Sequence, residues 1–369
     1  MAQNSSDESD QPQTGDEVEP AGSSREAARR LRAGLISLAI LVAIIVGLLL
    51  AVPGLHSVAR TVTRMNGGWV AAAVVLEILS CLGYVLAFLQ VFERAPIRFG
   101  ARVALSELAF NAAVSLGGVS SVAMGGWLLV ERGAPLGRVA ERSAVLFLLT
   151  SAINVITFAL AGFALFAGVP GPSNPLLTVL PGGVGTLVFV FFLLLPRWID
   201  RSLGNRLPGR MHTVLSGTAQ SIRDTERLLV RPDWRLLGAI GYLWFDIGVL
   251  MACFAALGAT PPLAAVVLAY QIAYISNAIP VPGGIGILDG SLVGALVLYG
   301  VGATNAAAAT LVYHATSLWI PAMWGTLAFL LLRRNRCQPL ELRPTREERR
   351  RIRVSRRAPE LAQASDVDL

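Results

Sequence analysis

Long apolar stretches alternate with short polar connections along most of the chain. Six of these stretches approach the roughly 20 residues that a tilted helix needs to cross a bilayer. We predict full crossings over residues 33–52, 69–91, 143–167, 176–196, 236–257 and 306–332. The pattern therefore predicts an all-α, polytopic integral membrane protein.

Two further apolar regions, 101–130 and 262–300, are interrupted by glycine-rich segments. The pieces on either side of each interruption have about 12 to 17 residues. At 1.5 Å per residue such pieces do not comfortably span a hydrocarbon core of about 30 Å. We therefore expect each region to form a re-entrant hairpin of two broken helices.

The two interruptions resemble each other in sequence. Residues 111–119, NAAVSLGGV, align with residues 277–285, NAIPVPGGI, at an offset of 166 residues. The same offset carries the crossings at 69–91 and 143–167 close to those at 236–257 and 306–332. We predict an internal repeat of crossing, hairpin and crossing, with units at about 69–167 and 236–332.

Charge predicts how the chain is oriented. All 31 basic residues are arginine, and they lie between the apolar stretches and in the tail. By the positive-inside rule, both termini, the 197–235 connection and the ends of the first hairpin are cytoplasmic, while the uncharged ends of the second hairpin are external. The hairpins then enter from opposite faces, as in the inverted repeats of secondary transporters. Charge of this kind flanks a membrane and does not indicate nucleic-acid binding.

The ends of the chain differ from the transmembrane domain predicted over 33–332. Residues 1–32 form an acidic tail with a basic flank, and the acidic part has too little apolar surface to fold. Residues 333–369 form an arginine-rich cytoplasmic tail. Within the 197–235 connection, the spacing over 211–229 predicts a helix that lies on the membrane surface.

The stretch from Pro282 to Asp289, PGGIGILD, resembles the lysylphosphatidylglycerol synthase transmembrane-region family. The region from Asn111 to Gly118 is similar to that family's first characteristic segment. This chain departs from the pattern in having Asp289 where the family usually has Glu, and in lacking the proline and the following arginine in its first copy. The resemblance implies movement of aminoacylated or other anionic lipids between leaflets. The 37 residues after Leu332 are too few for a soluble synthetase domain, so we expect the membrane part alone.

Ten residues near the two interruptions are candidates for contact with a lipid headgroup: Asn111, Gly117, Gly118, Asn277, Pro282, Gly283, Gly284, Gly286, Asp289 and Glu107. Asp289 has an alternative role as an acid in the first turn of a helix, where the helix dipole favours it. Glu107 lies one turn before Asn111, so it either lines the same cavity or makes a structural hydrogen bond to a neighbouring helix.

Glu77, Asp246 and His314 lie within predicted crossings, where an ionisable side chain is costly and indicates a function. We take them as candidates for coupling to an ion, although a lone histidine is more often a packed, hydrogen-bonded residue. The spacings of His, Cys, Ser and acidic residues match no catalytic or metal motif, so we expect no enzyme activity, metal or cofactor.

A lipid translocase, or flippase, is the leading hypothesis; its substrate would be an anionic, aminoacylated or polyprenyl-linked lipid of the cell membrane. One alternative is a secondary transporter of a small solute, which a fully enclosed cavity would favour. Another is a non-transporting membrane partner of a lipid-modifying or glycan-assembling enzyme, with the arginine-rich tail as its docking element.

Overall fold

The fold is known from a computed structural model, which describes residues 60–113, 119–172, 174–203, 209–230, 236–276 and 287–334. The helices in these ranges are α1 Gly67–Val91, α2 Ile97–Ala113, α3 Val119–Glu131, α4 Leu136–Phe166, α5 Pro175–Leu203, α6 Gly209–Val230, α7 Leu236–Ala256, α8 Leu263–Ser276, α9 Ile287–Leu298 and α10 Ala303–Arg334. The acidic N-terminal tail, the crossing predicted at 33–52 and all but two residues of the C-terminal tail lie outside them.

Five helices, α1, α4, α5, α7 and α10, are long and apolar enough to cross a membrane. They coincide with the crossings predicted at 69–91, 143–167, 176–196, 236–257 and 306–332, and this part of the prediction is confirmed. The two interrupted regions form pairs of shorter helices, α2 with α3 and α8 with α9. The protein is therefore an all-helical, polytopic membrane protein.

Helix positions repeat with the offset that the sequence predicts. Adding 166 to the limits of α2, 97 and 113, gives 263 and 279, and α8 is Leu263–Ser276. The same shift moves both ends of α1, α3 and α4 to within three residues of the ends of α7, α9 and α10, respectively. Neighbours repeat as well, because α2 packs against α10 and α8 packs against α4.

The two units run in opposite directions, because α1 and α7 are antiparallel. At one end of the pair, the Asn66 amide donates to the Ala256 carbonyl at 2.9 Å. Further along, the Ser80 hydroxyl donates to the Tyr242 carbonyl at 2.8 Å. Equivalent helices that pack antiparallel are the arrangement expected of an inverted repeat.

The two hairpins open at opposite ends of the helix bundle. At the end where α2 begins, Arg132 donates to the carbonyl of Leu332 at 3.0 Å, and its guanidinium lies 5.4 Å from the centre of the Phe99 ring. At the other end, the Tyr299 hydroxyl, just beyond α9, donates to the Leu177 carbonyl in α5 at 3.1 Å. We call the first end the arginine end, because helix sequence places there Arg98, Arg102, Arg132, Arg138, Arg142, Arg197, Arg201, Arg333 and Arg334.

The amphipathic stretch predicted at 211–229 forms α6, so the helix is confirmed. The helix packs against α4 and α5, and its Ala219 and Ile222 are buried. An apolar cavity lined by Leu148, Phe192 and Leu229 lies between the three helices. Whether α6 lies at a membrane surface stays a prediction.

Candidate functional site

A polar cavity of about 90 Å³ lies between four helices where the two repeats meet. It takes α1 and α2 from the first repeat and α7 and α10 from the second. Its lining consists of Glu77, Ser80, Cys81, Leu108, Asn111, Ala112, Tyr242, Asp246, Ser317 and Pro321. Polar groups of this kind are costly inside a membrane domain, so a cavity that collects them indicates a functional site.

Glu77 and Asp246 face each other across the crossing of α1 and α7, where both side chains line the same small cavity. Ionised carboxylates only accept hydrogen bonds, so a bond between them requires a proton on one. The Oε2 atom of buried Glu77 has no hydrogen-bond partner in the described part of the chain. The sequence predicts both residues as coupling candidates, but it does not predict that they line the same cavity.

Two tyrosines hold the Asp246 carboxylate in place. The hydroxyls of Tyr270 in α8 and Tyr313 in α10 both donate to Asp246 Oδ2, the second at 3.0 Å. The two rings pack edge to face, with their centres 6.3 Å apart. The sequence assigns neither tyrosine a role beside Asp246; the available signal was a hydroxyl-bearing aromatic residue within an apolar helix.

Asn111 lies in the last turn of α2 and lines the same cavity. Its Oδ1 atom is buried and has no hydrogen-bond partner among the described residues. An unpaired buried amide oxygen costs about 1–3 kcal/mol unless water or a ligand supplies a donor. Asn111 therefore offers an unused acceptor to whatever occupies the cavity.

Glu107 is not among the residues that line this cavity. Its side chain is 2% exposed and accepts a hydrogen bond of 2.8 Å from the Tyr84 hydroxyl. The carboxyl group fills the space above Gly125, where a Cβ atom would lie 1.5 Å from Glu107 Oε1. The hydrogen bond from Tyr84 and the space beside the glycine backbone of α3 hold the side chain outside the cavity. This position agrees with the alternative in which Glu107 makes a structural hydrogen bond to a neighbouring helix.

Asp289 and His314 form a separate contact, with Oδ1 and Nδ1 3.0 Å apart. Asp289 lies in the first turn of α9, where the helix dipole favours an acid, and both side chains are partly exposed. Two residues further along α9, the Ser291 hydroxyl lies 2.6 Å from the Ser276 hydroxyl and joins α9 to α8. The sequence proposes Asp289 and His314 for different roles, whereas the structure brings them together.

The remaining predicted contact residues lie outside the described part of the chain. They are Gly117, Gly118, Asn277, Pro282, Gly283, Gly284 and Gly286. Within the described residues, no cluster of three or more His, Cys, Asp or Glu side chains is arranged to hold a metal ion.

Comparison with known proteins places these features in a wider group. Residues 34–325 match the family described as "Lysylphosphatidylglycerol synthase TM region". A protein of Methanothermobacter thermautotrophicus named "UPF0104 membrane protein" is 31% identical over 91 residues. That match covers 24% of this chain and 26% of the relative, so it spans about a quarter of each protein.

Proposed function

The chain belongs to the lysylphosphatidylglycerol synthase transmembrane-region family, and on that premise we propose that it is a lipid translocase. The family description refers to a synthase of an aminoacylated phospholipid, which favours a lipid as the substrate. In this proposal the polar headgroup moves through the cavity between the repeats while the acyl chains stay in the bilayer. In this proposal the arginine end faces the cytoplasm.

The observation that carries the proposal is the cavity between the antiparallel repeats and the unused acceptor, Asn111 Oδ1, in it. A polar group that enters bare hydrocarbon loses its hydrogen bonds to water at a cost of several kcal/mol. The polar side chains of Ser80, Asn111 and Ser317 can replace these hydrogen bonds where the repeats cross. Asn111 Oδ1 supports this role, because it lacks a partner among the described residues and accepts from any hydroxyl or ammonium donor.

Reconstitution tests the proposal directly. Vesicles containing the purified protein carry a fluorescent lipid, and a membrane-impermeant reductant measures its arrival in the outer leaflet. We expect faster arrival than in protein-free vesicles for at least one of phosphatidylglycerol, aminoacylated phosphatidylglycerol and polyprenyl phosphate. Asn111→Leu should slow it about tenfold, the rate equivalent of one lost hydrogen bond.

A matched control uses Leu187→Ala, because Leu187 is 70% exposed on α5, away from the cavity. This variant should move lipid like the wild type. Rates equal to those of protein-free vesicles for all three lipids would overturn the proposed function.

A further inference from the structure

We propose that Glu77 and Asp246 together hold one exchangeable proton, and that its binding and release couple lipid movement to a proton gradient. The coupling half of this inference rests on the proposed translocase function. The proton-binding half rests on the geometry of the pair alone.

The pair occupies the crossing point of the two repeats. Glu77 belongs to α1 and Asp246 to α7, which are equivalent helices of opposite orientation. In inverted-repeat transporters the two units move against each other around a central site. A pair of carboxyl groups, one on α1 and one on α7, therefore has a different environment before and after this movement.

No positively charged residue in the described part of the chain balances these carboxyl groups. The titratable groups that face them come from α1, α7, α8 and α10, and they are Cys81, Tyr242, Tyr270, Tyr274 and Tyr313. His314 is next to Tyr313 in sequence, but it contacts Asp289 instead. With no arginine or histidine against the pair, a proton is the charge that makes the two groups compatible at close range.

The cavity gives that proton a route. Glu77, Asp246, Ser80 and Asn111 line the same space of about 90 Å³, which is large and polar enough for water. A proton leaving the pair passes to water in the cavity. Two ionised carboxylates then face each other, and their repulsion favours a state in which α1 and α7 separate or the cavity fills.

Proton titration of the purified full-length protein tests the binding site without lipid transport. The variant Glu77→Gln/Asp246→Asn keeps the size of both side chains and removes the shared proton. Across the pH range in which the wild-type pair releases its shared proton, this variant should exchange one proton per chain fewer. Glu226→Gln is the matched control; Glu226 lies in the separate apolar cavity beside α6, and its replacement should leave the proton of the pair in place.

Equal proton counts for the wild type and the double variant, with both proteins folded, would overturn the proton site. A second variant guards against misfolding: Glu77→Asp/Asp246→Glu exchanges the lengths of the two acids and keeps both. It should restore the proton that the double amide variant loses.

A pH difference across the reconstituted vesicles tests coupling. For one proton per lipid, a one-unit difference should shift the steady-state ratio of labelled lipid between leaflets by up to about tenfold. The double amide variant should show no shift, and Glu226→Gln should behave like the wild type. Lipid movement that does not depend on the pH difference, or that depends on a sodium gradient instead, would overturn the coupling to protons. Absence of any lipid movement in the wild type would overturn the proposed function, while the titration still decides the proton site.

Discussion

Gly83 of α1 and Gly238 of α7 lie in contact near the crossing of the two repeats. A Cβ atom on Gly83 would be 2.7 Å from the Gly238 carbonyl oxygen and 2.6 Å from the Tyr242 amide nitrogen. A Cβ atom on Gly238 would lie 2.9 Å from the Gly83 carbonyl oxygen. Small residues that let backbones approach closely are the usual basis of helix packing in membranes. These two glycines therefore set the distance between the helices that carry Glu77 and Asp246.

Gly83→Ala should destabilise the protein. The added methyl group meets backbone atoms of α7, which move only if the helices separate, so we expect a loss of about 1–3 kcal/mol. In a detergent-solubilised sample this corresponds to a fall in unfolding temperature of about 2–4 °C for each kcal/mol. Because the helices must move apart, the contact between Glu77 and Asp246 should weaken as well.

The control for this substitution is Gly217→Ala in α6, where an added Cβ atom meets nothing within 4 Å. Alanine is a better helix former than glycine, so this change should leave the stability unchanged or raise it by up to about 1 kcal/mol. An unfolding temperature for Gly83→Ala equal to that of the wild type would contradict the close packing of α1 and α7.

Hydropathy and the spacing of Asn111 and Asn277 predict much of this fold. Crossings of about 20 apolar residues are a direct consequence of bilayer thickness, so their positions can be read from the sequence. The offset of 166 residues can also be read from the sequence, because both units have the same order of helices. The antiparallel packing of α1 on α7 adds direct support for the inverted arrangement that charge alone predicts.

The site is predicted less completely than the fold. Hydropathy identifies Glu77 and Asp246 as costly residues, but their contact depends on the rotation of two helices that are more than 160 residues apart in sequence. Tyr270 and Tyr313 are ordinary apolar-helix residues until tertiary packing brings their hydroxyls to Asp246. For Glu107 the spacing from Asn111 alone does not predict the hydrogen bond that its side chain accepts from Tyr84.

Tyr84→Phe should destabilise the first repeat. It removes the hydroxyl that donates to Glu107 Oε2 and leaves a buried carboxyl oxygen without that donor. A loss of about 1–3 kcal/mol is expected, because an unsatisfied buried group is more costly than the net value of its hydrogen bond. Chemical or thermal unfolding of the purified variant measures this loss.

Glu107→Gln is the companion variant, since its side-chain carbonyl still accepts from Tyr84. If Glu107 is structural, this variant should lose less stability than Tyr84→Phe and should move lipid at a rate close to that of the wild type. Slow lipid movement at an unchanged unfolding temperature would show instead that Glu107 contacts the substrate.

Asp289→Asn separates two roles of Asp289, pairing with His314 and contact with a substrate. The pair is partly exposed, so breaking it should cost at most about 1 kcal/mol. His314→Gln breaks the same pair from the other side and should cost a similar amount. Hydrogen exchange over α9 and α10 measures the local effect of each variant.

Lipid transport distinguishes the two roles. If Asp289 contacts the substrate, Asp289→Asn should slow lipid movement more than His314→Gln does, although both variants loosen α9 equally. Equal rates in the two variants would limit Asp289 to a structural role at the start of α9.

Single cysteines at the two ends of the bundle should be labelled from opposite sides of the membrane. Leu136 at the arginine end is 69% exposed, and Thr260 and Thr304 are exposed at the other end. Cys81 and Cys253 are 1% and 0% exposed, so only Cys337 is replaced by serine in the background.

In intact cells an impermeant thiol reagent should label Thr260→Cys and Thr304→Cys but not Leu136→Cys, which should react only after the membrane is opened. Because α1 and α7 are antiparallel, labelling of Leu136→Cys and Thr304→Cys from the same side would contradict the inverted repeat. Labelling of Leu136→Cys from outside and of Thr304→Cys only after the membrane is opened would contradict only the cytoplasmic assignment of the arginine end.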